Sequence, residues 1–223
     1  MECKQYRLGT SVFQLKYPKE LQLPETLELF SCDNLPPDAV FTLSGSGRMQ
    51  EYGTRLMGEM GLRAYLLERG AFVLHASYIV HRGKAILFTA PSQTGKSTQA
   101  ELWRRCRGAE IVNGDRALVQ KTENGFTANG IFYCGSSEIC RNITAPLSAI
   151  VVLGQGNNRL TRLSGVQALK ALMPQCAYDI TAPAEILQIT SLLAELADSV
   201  PLLYLEAAPE ESSVKALEEG LKG

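Results

Sequence analysis

The sequence predicts an α/β fold in which helices pack outside a mixed, largely antiparallel sheet, with a small β-rich segment at the N-terminus. Three observations predict it. Extended apolar runs at 72–80 and 85–89 flank the short turn His81-Arg82-Gly83-Lys84, which is the pattern of a hairpin. The second run leads through the small-residue stretch 90–98 directly into a helical pattern at 99–105. Short β-like and amphipathic helical runs then alternate to the end of the chain. A strand whose preceding neighbour is antiparallel does not begin a parallel βαβ domain, so the sheet is expected to be mixed.

The elements follow in order. Residues 1–48 form the β-rich N-terminal segment, with strands expected at 11–17, 26–31 and 40–44 between Pro18, Pro24, Pro36 and Pro37. Residues 49–223 form the main domain. A helix is expected over 49–68, where Met57, Met60, Leu62, Tyr65, Leu66 and Leu67 alternate with charged residues up to Gly70. Past the helix at 99–106, short strands are expected at 110–113, 117–120, 125–128 and 131–133, then a polar loop at 135–144 and a strand at 149–153. Ser164 can cap a helix over 166–173 that Pro174 ends. An amphipathic helix at 184–197, a strand at 202–205 and a last helix at 212–221 complete the chain. Trp103 belongs to the core, and His81 to the solvent side of the hairpin.

Bulk properties exclude several classes. The 223 residues are 45% hydrophobic with a net charge of -1, which fits a globular chain and gives no basic field for nucleic acid or an anionic membrane. No apolar run has membrane-spanning length and the N-terminus shows no signal-peptide core, so a cytoplasmic location is expected. The six cysteines include no C-x-x-C pair and read as free thiols.

The chemistry centres on Ala90-Pro91-Ser92-Gln93-Thr94-Gly95-Lys96-Ser97-Thr98. A Gly-Lys-Ser-Thr run between a strand and a helix is the context of a phosphate-binding loop. Main-chain N–H groups of Ser92, Gln93, Thr94, Gly95, Lys96, Ser97 and Thr98 would face an anion at the positive end of the helix. Lys96 would reach the β- and γ-phosphates and Ser97 would offer its hydroxyl to magnesium, so ATP and Mg2+ are the expected ligands. Ala90 stands where the usual pattern has glycine. Transfer to a hydroxyl also needs a carboxylate near the acceptor, and Asp115, at a strand end, is the leading candidate; its other reading is a Gly-Asp turn.

Together, Leu74-His75-Ala76-Ser77, the loop, and Ile111-Val112-Asn113-Gly114-Asp115-Arg116 make residues 72–119 resemble the HPr kinase/phosphorylase family. The phosphate-binding domain of that family is similar to that of phosphoenolpyruvate carboxykinase. The resemblance implies that Asp115 is the general base toward an acceptor serine and that His75 assists it. It also implies that Lys96 acts on the phosphates and that Glu138, in Ser137-Glu138-Ile139, joins Ser97 on the metal. Gly114 stands where the family has the first of two aspartates, and Asn113 is the residue placed to substitute for it in part. No counterpart of the segment needed for phosphate removal is found, so the implied activity is that of a serine kinase alone. The implied partner is a protein or peptide phosphoacceptor, and the chain can be a homo-oligomer. Two alternatives stay open: a nucleotide-binding interaction module without transfer, and a kinase for a small molecule. Arg116 is read either as neutralising phosphate charge or as a surface ion pair, and Arg141 as a clamp on phosphate or acceptor.

Overall fold

The computed structural model describes residues 1–48, 57, 58, 61–91 and 93–222. Most of the N-terminal half of the helix expected over 49–68 lies outside the described residues, as does Ser92.

The main sheet is organised by one long strand, β6 (Ala71–His81). Its C-terminal half pairs antiparallel with β7 (Lys84–Thr89), from Ala76 opposite Thr89 to His81 opposite Lys84. Its other edge carries β8 (Glu110–Asn113) and β9 (Arg116–Thr122), both antiparallel. Glu110 lies opposite Val80, Asn113 opposite Tyr78, Arg116 opposite His75 and Gln120 opposite Ala71. The two therefore run as a single strand that breaks at Gly114-Asp115.

From β9 the chain turns into β10 (Gly125–Asn129), which also pairs with the start of β11 (Thr144–Gln155). β11 runs parallel to β7 and to β13 (Leu202–Ala207), whose far edge holds the antiparallel β12 (Arg159–Arg162). The pairings among β6, β9, β10, β11 and β7 return on themselves and close a ring. The sheet is mixed and largely antiparallel, as expected.

Side-chain alternation decides what covers each face. On β7, Ala85 and Leu87 point to one core, shared with α3 (Gly165–Leu172) and α4 (Pro183–Ser199). Ile86 and Phe88 point to the other, against Trp103 of α2 (Lys96–Arg107) and Val214 and Leu217 of α5 (Glu211–Gly220). α3 starts as expected, with Gln167 Oε1 accepting the Ser164 N–H at 3.2 Å.

The N-terminal segment forms a three-stranded sheet of β1 (Glu2–Leu8), β2 (Ser11–Tyr17) and β4 (Ala39–Thr42), with β3 (Leu21–Gln22) and β5 (Gly47–Arg48) paired beside it. Tyr6, Phe13 and Leu15 share a core with Leu62 and Leu66 of α1 (Leu62–Glu68) and with Val73, Leu118 and Phe132. Gln120 ties the two parts: its Oε1 accepts the Thr10 N–H at 3.0 Å and its Nε2 donates to Thr10 Oγ1 at 2.7 Å.

Several expectations are corrected. Residues 26–31 are not a strand, because Glu25–Phe30 is a 3-10 helix. Pro24 O accepts the Leu27 N–H at 3.0 Å, and the buried pair Leu27 and Phe30 repeats every three residues rather than every two. Residues 131–133 are not a strand either, since the Ile131 and Tyr133 carbonyls are taken by a side chain, described below. β1 and β12 carry too few apolar residues to be seen in sequence. His81 is half-buried against Trp103, with ring centroids 5.3 Å apart. Among the described residues, no helix is long and apolar enough to cross a membrane.

Leu118 is fully buried where the N-terminal core meets the sheet. Leu118→Ala is expected to destabilise the chain by about 2–5 kcal/mol in a urea titration. Circular dichroism and Trp103 fluorescence should report one shared midpoint; two separated midpoints would show that the N-terminal segment folds independently.

Candidate functional site

The strand break at Gly114-Asp115 is where the site forms. Ser77 Oγ donates to Gly114 O at 2.8 Å, and the Ala76 N–H donates to Asp115 O at 2.9 Å, so β6 still carries the broken strand. Asn113 fixes the shape of the break. Its Oδ1 accepts the N–H groups of Asp115 and Arg116, both at 2.9 Å, in an Asx-type turn. Its Nδ2 donates to Ile131 O at 3.0 Å and to Tyr133 O at 2.9 Å. The side chain is fully buried and all four of its hydrogen-bonding positions are used. Asn113 therefore cannot substitute for an absent carboxylate, which corrects the sequence expectation. Gly114 cannot host one in this arrangement: a Cβ there would lie 2.4 Å from Cβ and Oγ of Ser137.

Asp115 projects from the break between His75 and Arg116. His75 Nε2 lies 3.1 Å from its Oδ1, and Arg116 Nε donates to Oδ2 at 3.1 Å. The pairing of β6 with β9 sets His75 directly opposite Arg116. Thr89 Oγ1, at the end of β7, donates to His75 O at 2.8 Å. The Arg116 guanidinium also lies over the Tyr133 ring, 5.5 Å from its centroid. The His75 hydrogen bond, helped by Arg116 and opposed by burial, holds the Asp115 carboxyl below its ordinary pKa.

Between β7 and α2, the described loop residues are 90, 91 and 93–95. Left-handed backbone falls at Gln93 (φ +65°) and Gly95 (φ +105°). Ala90 is absent from the left-handed positions and is buried in the core under α2, so alanine suits it without strain. Lys96 is 8% exposed, and its Nζ donates to Ala90 O at 2.9 Å and to Pro91 O at 3.4 Å. Burial lowers its pKa; the Asp115 charge acts against this and the Arg116 charge adds to it. Lys96, Asp115 and Arg116 thus lie within electrostatic reach of one another.

Thr94 Oγ1 donates back to Pro91 O at 2.9 Å. Ser97 and Thr98 are exposed on the first turn of α2 and bond no described side chain, so the Ser97 hydroxyl is free to meet a hard cation. A cleft of about 430 Å³ opens beside Ser97, lined also by Ser77, Gly114, Ser137 and Ile139. A second cleft of similar size lies across the same helix end, lined by Gln93, Thr94, Gln99, Gly156 and Ala208.

His75 and Asp115 are thus within hydrogen-bonding distance, and Lys96 is within reach of the Asp115 charge. Glu138 is exposed at the end of the 3-10 turn Gly135–Ser137, with left-handed backbone (φ +56°), and its charge acts on the Cys134 thiol. Among the described residues, no three His, Cys, Asp or Glu side chains are grouped to hold a metal. Arg141 pairs with Glu110 at 2.5 Å on the surface. Sequence reasoning gave Ser77 no role of its own, although it ends the 74–77 motif, and missed Thr89, which nothing in its local pattern marks; they anchor the break and His75. The Asn113 role had one signal, an Asn two residues before an Asp at a strand end.

No family model matches the chain, and no curated protein matches it. Among solved structures, it is similar to the HPr(Ser) kinase/phosphatase from Coxiella burnetii. The likeness has 13% identity and a TM-score of 0.38, over 68% of this chain and 93% of that one. A likeness that loose transfers no residue and no role, and the site stands on its own geometry.

A carboxyl with a lowered native pKa stabilises the fold at pH values above its unfolded pKa. That stabilisation is lost as pH falls through the native value. For Asp115 this window lies below the ordinary 3.8. The stability difference between the wild type and Asp115→Asn, measured by urea titration, is therefore expected to shrink between pH 6 and about pH 2.5. A difference that stays constant with pH would show that the carboxyl is not held low.

Proposed function

We propose that this chain transfers the γ-phosphoryl group of ATP to a hydroxyl, and that the acceptor is a serine of a protein or peptide. One observation carries the reading: a carboxylate clamped by His75 and Arg116 lies within electrostatic reach of a strand–loop–helix turn whose buried lysine donates to loop carbonyls.

Those carbonyls are weak partners for an ammonium compared with phosphate oxygens, so an incoming triphosphate offers Lys96 a better one. The Nζ would leave Ala90 O and Pro91 O and balance charge on the transferring group. Magnesium held by Ser97 and the phosphate oxygens would neutralise further charge. Asp115 would accept a hydrogen bond from the acceptor hydroxyl and take its proton. A carboxylate held below its usual pKa is a weak base, but phosphoryl transfer through a loose transition state asks first for orientation and only late for the proton. His75 would fix which carboxylate oxygen faces the acceptor, and Arg116 would keep the group ionised.

Two clefts flank the helix end, which supports giving one to each substrate. The cleft at Ser97 and Gly114 adjoins the strand break, and the acceptor would enter there. It is open rather than enclosed, which favours a polypeptide segment over a small molecule. The nucleoside would lie in the cleft at Gln99 and Gly156. The lone carboxylate at the break favours a second reading, a module that binds nucleotide without transfer.

Asp115→Asn is expected to slow transfer from radiolabelled ATP to serine peptides by about 10²–10⁴-fold, with the calorimetric Kd for ATP changed by less than about threefold. Lys96→Ala should weaken ATP binding itself. Equal loss of binding and transfer in Asp115→Asn would reassign the carboxylate to a structural or metal role. No nucleotide uptake by the wild type at millimolar ATP would end the kinase reading.

A further inference from the structure

The loop that covers the strand break holds two cysteines that nothing above employs. The 131–140 segment returns to Asn113 twice. Its first return is at Tyr133 O, the acceptor of Asn113 Nδ2, and its second is at Cys140, which forms a β-bridge with Asn113. These two returns bring Cys134 and Cys140 into the same neighbourhood, close enough for each thiol to act on the other's titration. Cys140 Sγ also lies 3.2 Å from Ile131 O. Both thiols are half-buried and free.

The residues between them touch the site. Gly135, with φ +55°, lies so close that a Cβ on it would sit 2.9 Å from the Asp115 carboxyl carbon. Ser137 occupies the space above Gly114, and Ile139 lines the cleft with Ser97. Nothing this close to the reacting groups can shift without moving them.

We propose that Cys134 and Cys140 form a reversible disulfide that locks the intervening loop against the Gly114-Asp115 break. The bond rests on no functional reading; its effect on phosphoryl transfer rests on the kinase reading above. The oxidant is a low-molecular-weight disulfide. Cys134, as thiolate, attacks one of its sulfurs, forms a mixed disulfide and releases one small thiol. The Cys140 thiolate then attacks the Cys134 sulfur and releases the second. Two protein thiols are oxidised, the reagent is reduced to two thiols, and the two S–H protons end on those leaving thiols. Joining the two neighbouring sulfurs in a bond of about 2.05 Å draws the loop ends together.

Burial pushes both thiols up, Cys140 to about 12, and the Asp115 and Glu138 charges add to the effect on Cys134. Exchange is accordingly slow at neutral pH and accelerates about tenfold per pH unit toward pH 9.

The full chain is incubated with oxidised glutathione at pH 8.5, quenched in acid, unfolded and analysed. The expected product has lost two hydrogens, keeps four of its six thiols, and yields one peptide holding an internal 134–140 bond. Cys140→Ser should abolish that product and Cys3→Ser should not. Six remaining thiols, or a bond joining other cysteines, would overturn the proposal. Amide NMR shifts on oxidation should cluster at 113–116 and 131–140; unchanged signals at 113–116 would overturn the lock. Transfer should fall about tenfold or more and return with dithiothreitol. Equal transfer by both forms would refute the effect on the site. Absence of ATP binding in both forms would instead defeat the kinase reading and leave the bond standing.

Discussion

The buried amide of Asn113 is the constraint from which the site follows. A strand alongside β6 would ordinarily pass from 110 to 122 without interruption, with its polar backbone satisfied by its neighbour. At Gly114-Asp115 it leaves the ladder, and two N–H groups lose their strand partners. Asn113 takes both with one oxygen, while its nitrogen holds two carbonyls of the crossing segment. One side chain thereby sets the aim of Asp115, the height of the loop above it, and the place where that loop returns. A buried amide with four matched partners is a stiff device, because moving any partner leaves a polar group unpaired inside the protein.

The charges around it are arranged as a small closed system. Lys96 is drawn into the chain by loop carbonyls rather than by a carboxylate, and Asp115 is already shared by His75 and Arg116. Two cations, Lys96 and Arg116, therefore lie within electrostatic reach of one acid, leaving an excess of positive charge at the end of α2, where the helix adds its own positive end. Such a surplus in a half-buried place is tolerable only if an anion completes it, or if burial weakens one of the cations. The lowered pKa of Lys96 is the second of these, and a bound triphosphate would supply the first. Asp115 and Arg116 act oppositely on the lysine, so the strand break tunes the loop even without a ligand.

Much of this was legible in sequence because it is local. The hairpin, the strand–loop–helix run, the helices and the acid at a strand end all announce themselves by period or by turn residues. What escaped was set by distant partners. The 3-10 helix at Glu25–Phe30 reads as a strand because Leu27 and Phe30 are counted without knowing which core they face. Residues 131–133 look like a strand because their β-forming side chains do not reveal that a side chain from 113 takes their carbonyls. Ala90 looked like a defect when glycine was expected, yet the loop's left-handed turns fall at Gln93 and Gly95. The pairing of His75 with Asp115 is a matter of register, which no single segment encodes.

The same register explains why the site holds one carboxylate. A second acid at 114 would need room exactly where Ser137 packs, and Ser137 is held by donating from its Oγ to Cys134 O at 2.7 Å. The loop and the glycine are thus complementary: either the loop lies close and 114 has no side chain, or 114 carries an acid and the loop stands away. This chain has taken the first arrangement. The space that an extra charge would occupy is filled by the loop that also bounds the cleft, so access to Asp115 and the absence of a neighbouring acid are one packing fact. The Asp115 carboxylate is then paired with His75 and Arg116 at the break, and the position of the 134–140 loop bounds what can approach it.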